Sequence, residues 1–203
     1  MSLAILIPAA GQSTRMRGRD KLLEDVDGQP LLVRQVTTAL GLNVPVLVTL
    51  PEPGDTRSEA LSSLHSPMLS TCHLPDAVHG LSASMRAGAR WAQATGKTAL
   101  MVFLPDLPDL TKRDLETLKS SHEKAPDLPV RAADMTGQLG HPTVIPTRLF
   151  SAMIELRGDV GAQALLAQET VLPCPLAGMR ATTDLDTPED WETWRITLEK
   201  SNA

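Results

Sequence analysis

Residues 3–32 read LAILIPAAGQSTRMRGRDKLLEDVDGQPLL, and this stretch decides the fold. Its apolar run Leu3–Ile7 predicts a buried β-strand. The strand leads into a loop of small residues, where backbone N–H groups can approach a phosphate closely. The residues that build this loop and follow it are Ala9, Ala10, Gly11, Ser13 and Thr14, then the cations Arg15, Arg17, Arg19 and Lys21. Because cations neutralise phosphate charge, the stretch predicts an anion site after the first strand.

A plainer interpretation of the same loop stays open, in which Gly11 forms a turn and the arginines are solvated. Two common phosphate motifs, G-x-x-x-x-G-K-[ST] and G-x-G-x-x-G after a strand, are absent. The net charge of the chain is -5, so the basic loop is a local exception. This favours a small anionic ligand and argues against nucleic acid, which needs an extended basic face.

Length and composition favour one domain over residues 1–203. The hydrophobic fraction of 42% is ordinary for a globular protein. Aromatic residues make up only 2%, which leaves few stacking platforms for single-stranded nucleic acid. Cys72 and Cys174 form neither a metal-spaced set nor a disulfide scaffold, so we expect a reduced, cytoplasmic setting. The N-terminus has the pattern of neither a signal peptide nor a membrane span, and we expect no membrane partner.

Apolar runs alternate with helix-like stretches along the chain. The predicted strands are Leu3–Ile7, Val44–Leu50, Leu69–His73, Ala99–Leu104, Val130–Ala133, Thr143–Ile145 and Val171–Pro173. The predicted helices are Pro30–Leu40, Thr56–Leu64, Gly80–Ala94, Thr111–Glu123, Thr147–Glu155, Ala162–Gln168 and Thr187–Leu198. This alternation predicts an α/β sandwich of three layers with a mostly parallel sheet. Ligands of such sheets bind beyond the carboxyl ends of strands, which places the loops Ala9–Lys21 and Pro105–Leu110 at the binding edge.

Two acidic groups are candidates for a metal site. Asp106 follows the strand Ala99–Leu104, where it would hold Mg²⁺ beside phosphates; the alternative is a turn before Thr111, with Asp109 at the start of the next helix. Asp184 and Asp186 alternate along an extended segment and share one face. Two such carboxylates repel each other unless a cation lies between them. The alternative for Asp186 is a capping role for the helix that begins near Thr187.

Other polar segments have less specific patterns. Gly80, Ser82 and Ser84 open a predicted helix, where they offer N–H groups and hydroxyls to a ligand or simply cap the helix. A lone histidine such as His141 is more often structural than catalytic. A covalent mechanism has no support, because no Cys or Ser accompanies a plausible His–Asp pair.

The motifs of the first stretch carry a resemblance to a known family. The pattern A-A-G-x-S-x-R-M, a Lys followed by two leucines, and G-x-P-L-L resemble the nucleotide-diphospho-sugar transferase fold, which is Rossmann-like. The chain is most similar to the molybdenum cofactor nucleotidyltransferases, which join a nucleoside triphosphate to molybdopterin and release pyrophosphate. One departure is that Arg17 stands where the family usually has Gly, so that Gly18 takes the glycine position and Lys21 lies one residue later.

The resemblance implies a set of site residues. Nucleotide binding is implied for Ala9, Ala10, Gly11, Ser13, Arg15, Lys21, Gly80, Ser82 and Ser84. Catalysis is implied for Arg15, Lys21 and Asp106, and Mg²⁺ binding for Asp106, Asp184 and Asp186. Acceptor binding is implied for Gly140, His141, Gly158, Asp159 and Gly161.

The resemblance also implies the substrates. Ala-Ala-Gly in the loop goes with CTP and Ala-Gly-Gly with GTP, so CTP is the expected nucleotide. The expected acceptor is of the molybdopterin type, and a target molybdoenzyme is a further candidate partner. Two alternatives remain: a related nucleotidyltransferase that uses GTP or acts on a sugar or polyol phosphate, and a nucleotide-binding molybdoenzyme chaperone without catalysis.

Overall fold

Strands and α-helices alternate along residues 2–74, 81–158 and 162–201, the parts of the chain that this computed structural model describes. The strands are β1 Leu3–Pro8, β2 Asp25–Val26, β3 Gln29–Pro30, β4 Val46–Leu50, β5 Leu69–His73, β6 Ala99–Val102, β7 Val130–Ala133, β8 Leu139–Pro146 and β9 Leu172–Pro175. The α-helices are α1 Leu31–Leu40, α2 Thr56–Leu61, α3 Leu81–Ala94, α4 Lys112–Lys124, α5 Phe150–Ile154, α6 Ala162–Leu166 and α7 Pro188–Ser201. Short 3₁₀ turns cover Thr14–Met16, Lys21–Leu23 and Thr147–Leu149.

Seven of these strands form one sheet in the order β5-β4-β1-β6-β8-β7-β9. The central strand β1 pairs in parallel with both neighbours, so that Ile5 lies opposite Val46 on one side and Met101 on the other. Within this sheet β8 alone runs antiparallel to its neighbours. The predicted mostly parallel α/β sheet is therefore confirmed.

The two faces of the sheet are covered by different helices. Ile5 and Ile7 of β1 belong to a buried cluster with Val36 of α1 and Leu115 of α4. The alternate residue Leu6 faces the other way, into a cluster with α3 and α5. Because both faces of β1 are buried, its sequence is a continuous apolar run. The sheet with helices on both faces makes three layers.

No helix in the described ranges is long and apolar enough to cross a membrane.

The hairpin of β2 and β3 is one element that the sequence prediction lacked. Asp27 and Gly28 join the strands with φ of +54° and +82°. A tight two-residue hairpin turn requires positive φ at both central residues, and an Asp-Gly pair adopts this conformation readily. Pro30 lies in β3 and directly precedes α1, so it is not in the first turn of that helix as predicted. The predicted helix Thr147–Glu155 is divided into a 3₁₀ turn and α5.

A small separate core attaches the C-terminal helix to the basic loop. Met16 from the loop and Trp191 from α7 are both fully buried there, together with Leu185 and Trp194. The two tryptophan rings meet edge to face, with 5.7 Å between their centroids. Aromatic pairs in this arrangement contribute about 0.5–1.5 kcal/mol beyond their buried area. The loop and α7 are therefore packed as one unit.

Gly140 of β8 is required by packing, and this gives a first prediction. A Cβ at this position would lie 1.9 Å from the carbonyl oxygen of Ala181. Gly140→Ala should therefore lower the free energy of unfolding by at least about 1–3 kcal/mol, the usual cost of overpacking. Gly11→Ala is the matched control, since a Cβ there meets nothing within 4 Å. Urea denaturation of both variants measures the difference, and equal stabilities would contradict this packing role.

Candidate active site

Lys21 lies at the centre of the site, between two carboxylates. Its Nζ is 2.6 Å from Oδ2 of Asp106 and 2.6 Å from Oδ1 of Asp186. Arg15 binds the other oxygen of Asp186 at 2.8 Å. Although burial, the largest single influence, lowers the pKa of Lys21, the two carboxylates outweigh it and raise that pKa overall. The ammonium therefore stays charged, and the structure brings together four side chains that the sequence analysis singled out.

A backbone hydrogen bond and a helix cap position residues 184–186 beside Lys21. The N–H of Leu185 donates to the carbonyl of Asp106 at 3.1 Å. Thr187 and Asp190 cap each other at the start of α7, with the Thr187 N–H donating to Asp190 at 2.8 Å and the Asp190 N–H donating to the Thr187 hydroxyl at 3.2 Å. The carboxylate of Asp186 takes no part in this exchange. It is therefore available to Lys21 and Arg15, and the capping alternative for Asp186 does not hold.

Asp109 is not where the sequence analysis expected it. The start of α4 is capped by Thr111 and Asp114, each bonded to the backbone N–H of the other. Asp109 instead accepts a hydrogen bond from the indole Nε1 of Trp194 at 2.9 Å. The expectation that Asp109 belongs to the helix start is wrong, because its carboxylate is bonded to Trp194 of α7 and not to the first turn of α4.

Arg57 organises the basic loop, and sequence reasoning missed it. This residue of α2 is 4% exposed. Its guanidinium binds both carboxylate oxygens of Asp20 at 2.6 and 2.9 Å. It also donates to the carbonyls of Ala9 at 2.6 Å and Gly11 at 2.8 Å. One faint signal was present in the sequence: a cation in the first turn of a helix is unfavourable unless another contact compensates for it.

The contacts of Arg57 leave the loop with free donors. Because the guanidinium binds two of the loop's carbonyls, those oxygens are drawn to one side. The backbone N–H groups of residues 10–13 have no hydrogen-bond partner within the described part of the chain. Consecutive free N–H groups of this kind form a concave site for an anion. The loop therefore presents backbone donors where the sequence predicts a phosphate, and a distant arginine stabilises this conformation.

Asp20 is the counter-charge that keeps Arg57 in place. Burial, the largest single influence, raises the pKa of Asp20. Arg57 lowers this pKa by hydrogen bonding and by its positive charge, and hydrogen bonds from Leu22 and Ser13 lower it further. Together these contacts outweigh the effect of burial. The pKa is thus below its ordinary value, and Asp20 is ionised at neutral pH. Ser13 also accepts a bond from the N–H of Lys21 at 3.2 Å, so its hydroxyl holds the loop together.

A cavity of about 220 Å³ opens beside this loop, and we call it the loop cavity. Its lining includes Gly11, Gln12, Lys21, Arg57, Ser84 and Asp106. Ser84 accepts a hydrogen bond of 2.8 Å from buried Thr49. The predicted residues Ala9, Ala10 and Ser82 are buried and do not line this cavity. Gly80 lies outside the described residues.

The carboxylates have the chemistry of a divalent metal site. The Oδ1 atom of Asp106 is buried and has no hydrogen-bond partner in the described ranges. Burial chiefly raises the pKa of Asp184, and the charges of Asp106 and Asp186 raise it further. No group of three His, Cys, Asp or Glu side chains within the described ranges could hold a metal alone. Mg²⁺ commonly binds one or two carboxylates and takes its other ligands from phosphate and water, so the residues fit this ion.

A second cavity, of about 190 Å³, adjoins the first at Leu104, and we call it the His141 cavity. Gly140, His141 and Asp184 line it. Burial, then repulsion by Arg131, lowers the pKa of His141 to about 4, so its imidazole is neutral at pH 7. Of the other predicted acceptor residues, Gly158 lies outside the lining of this cavity, while Asp159 and Gly161 fall outside the described residues.

The fold agrees with comparisons to known proteins. The sequence matches the MobA-like NTP transferase domain over residues 5–172, and the chain belongs to this family of nucleotidyltransferases. It is similar to a probable molybdenum cofactor guanylyltransferase of Synechococcus elongatus, with 28% identity over 97% of this chain and 100% of the relative. It is also similar to the purine catabolism protein PucB of Bacillus subtilis, with 27% identity over 92% of this chain and 93% of the relative.

Solved structures share the fold at low sequence identity. Rv0371c from Mycobacterium tuberculosis has a TM-score of 0.77 and 20% identity, covering 95% of this chain and 97% of the other. A structure of CMP:2-keto-3-deoxy-manno-octonic acid synthetase in complex with CTP has a TM-score of 0.75 and 16% identity, covering 99% of this chain and 100% of the other. The predicted fold class and the predicted type of enzyme are thus confirmed.

The role of Arg57 gives a second prediction. Arg57→Lys keeps the positive charge beside Asp20, but one ammonium cannot replace a planar fork that also binds two carbonyls. We expect nucleotide affinity to fall by about tenfold or more, the usual cost of a lost charge-assisted hydrogen bond. Arg19→Lys is the control, since Arg19 lies on the same loop and its side chain pairs with Glu24 alone among the residues that the structure describes. Calorimetric titration measures both affinities, and a wild-type affinity for Arg57→Lys would contradict the assignment.

Proposed function

We propose that this nucleotidyltransferase uses Mg²⁺ and joins CTP to a molybdopterin-type acceptor with release of pyrophosphate. The observation that carries the proposal is Lys21 between Asp106 and Asp186, next to a loop with free backbone N–H groups. Cations and N–H donors suit a triphosphate, and the carboxylates suit the metal ion that accompanies it.

The reaction needs positioning and charge neutralisation more than proton transfer. An oxygen of the acceptor phosphate forms a bond to the α-phosphorus of CTP, the bond from that phosphorus to the bridging oxygen breaks, and pyrophosphate leaves with that oxygen. The second pKa of a phosphate monoester is about 6, so most of the acceptor phosphate is doubly ionised at pH 7 and no strong base is required. This agrees with a neutral His141 on the acceptor side.

Residues of the loop would hold the triphosphate. The N–H groups of residues 10–13 would bind phosphate oxygens, and Arg15 and Lys21 would neutralise their charge. Asp106 with Asp184 or Asp186 would hold Mg²⁺, which neutralises charge on the reacting phosphate when it is bound. A divalent ion is also present in a further structure of Rv0371c, with a TM-score of 0.73, which is a complex with manganese.

The choice of CTP rests on Ala9-Ala10-Gly11 and the family resemblance. Both alanines are buried, at 1% and 2% exposure, and lie behind the cavity lining. Their methyl groups would therefore set the position of the loop backbone rather than touch the base. GTP is the second candidate, because the relative from Synechococcus elongatus is named a guanylyltransferase.

Asp106→Asn tests the metal role. We expect turnover to fall by at least about 100-fold, since a missing electrostatic partner of the reacting group commonly costs this much. The fold should be retained, because an amide has nearly the shape of a carboxylate. Pyrophosphate release with CTP and molybdopterin at limiting Mg²⁺ is the measurement, and Asp127→Asn on the exposed surface is the control. Near-native turnover of Asp106→Asn would remove Asp106 from the metal site.

Competition between equal CTP and GTP tests the base preference. The wild type should favour CTP, and Ala10→Gly should reduce the discrimination, because the loop backbone gains freedom beside the base. Ala94→Gly, at the exposed end of α3, is the control for the general effect of replacing an alanine by glycine. A wild-type preference for GTP would overturn the cytidylyl assignment and leave the nucleotidyltransferase intact. Pyrophosphate release with a sugar phosphate in place of molybdopterin would instead favour the sugar-phosphate alternative.

A further inference from the structure

A third cavity, of about 400 Å³, lies between α7 and residues 179–185, and we call it the outer cavity. Its apolar walls come from Met179, Leu185 and Trp194. Asp184 lines both the outer cavity and the His141 cavity. Because the two cavities share this lining residue, they are neighbours, and a ligand long enough to pass Asp184 would contact both.

The hydrogen-bond donors on the side chains that line the outer cavity are already engaged. The indole Nε1 of Trp194 donates to Asp109 at 2.9 Å. The hydroxyls of Thr183, Thr193 and Thr197 donate to backbone carbonyls at 2.9, 2.8 and 2.9 Å. A ligand that needs donors from these side chains would have to break one of these bonds.

One hydrogen-bond acceptor of the outer cavity, in contrast, is available. One oxygen of Asp109 holds Trp194, and within the described ranges the second accepts no hydrogen bond. The indole also fixes the direction of the Asp109 carboxylate. Apolar walls with a positioned carboxylate and no free side-chain donor select a flat ligand that carries N–H groups.

We propose that the outer cavity binds the heterocyclic end of the acceptor, with two neighbouring N–H groups of a 2-amino-4-oxopyrimidine edge donating to Asp109. This edge belongs to pterins, and the inference rests on the proposed molybdopterin-type acceptor. The arrangement orients the acceptor, because its anionic phosphate is attracted to Lys21 and Arg15 while its donor edge turns to the carboxylate. Asp109 is thus a specificity residue for the acceptor.

Binding of simple heterocycles to the free protein tests this. The probes are pterin and lumazine, which differ only in that an oxygen of lumazine replaces the 2-amino group, and calorimetry measures their affinities without nucleotide. We expect the pterin to bind at least about tenfold more tightly than lumazine, the effect of a lost hydrogen bond to a charged group. Equal affinities, or no binding of the pterin, would overturn the inference.

Variants locate the binding to the outer cavity. Asp109→Asn keeps an oxygen for Trp194 and turns the other atom into a donor, so the preference for pterin over lumazine should disappear. Thr193→Lys, on the exposed face of α7, should weaken pterin binding about tenfold by placing a competing donor beside Asp109. Ile196→Lys is the matched control, because Ile196 is 45% exposed and outside the lining. Pterin binding that neither Asp109→Asn nor Thr193→Lys changes would also overturn the assignment.

The two proposals fail in different ways. Pyrophosphate release from CTP and molybdopterin with no selective pterin binding would refute the outer cavity alone. Selective pterin binding without pyrophosphate release from any nucleotide would refute the proposed reaction and leave the pterin site standing.

Discussion

The buried ion pair of Arg57 with Asp20 is the interaction on which the site depends. A buried arginine is costly unless its charge and its donors are satisfied. Asp20 supplies the charge, and the carbonyls of Ala9 and Gly11 and the hydroxyl of Ser13 accept further hydrogen bonds. Because the same guanidinium binds Asp20 and these two carbonyls, it holds the loop in a conformation in which the backbone N–H groups of residues 10–13 have no partner in the described part of the chain. Removing one partner would leave a buried charge uncompensated, so the loop conformation and the ion pair stabilise each other.

A second constraint acts from the opposite side of the loop. Met16 enters a small core with Trp191, and Arg15 reaches Asp186 just before α7. Arg17 extends this contact to Glu189 on the first turn of α7. The loop is thus fixed between α2 and α7, two elements far apart in the sequence. Contacts on both sides therefore stabilise this conformation of a loop made of small and charged residues.

The sequence predicted the parts of the fold that depend on local pattern. Continuous apolar runs predicted the strands Leu3–Ile7 and Ala99–Leu104. Because loops at the carboxyl ends of parallel strands lie at the same edge of the sheet, the two following loops were expected to lie close together. The Asp-Gly hairpin was also readable from local pattern but was overlooked. Arg57 could not be found in this way, because its partners Asp20 and Ala9 lie 37 and 48 residues away. Asp109 was misplaced for the same reason, since its partner Trp194 is 85 residues distant.

The balance of charge in the site explains why it suits a metal and a triphosphate together. Lys21 and Arg15 face three carboxylates, so these side chains carry a net negative charge. A triphosphate alone would meet that negative charge, whereas a divalent ion beside Asp106 would reverse it. The buried Oδ1 of Asp106 is the atom that gains most, because it has no donor in the described chain. Electrostatic attraction between buried groups exceeds that in water, so the ion and the phosphates each favour the binding of the other.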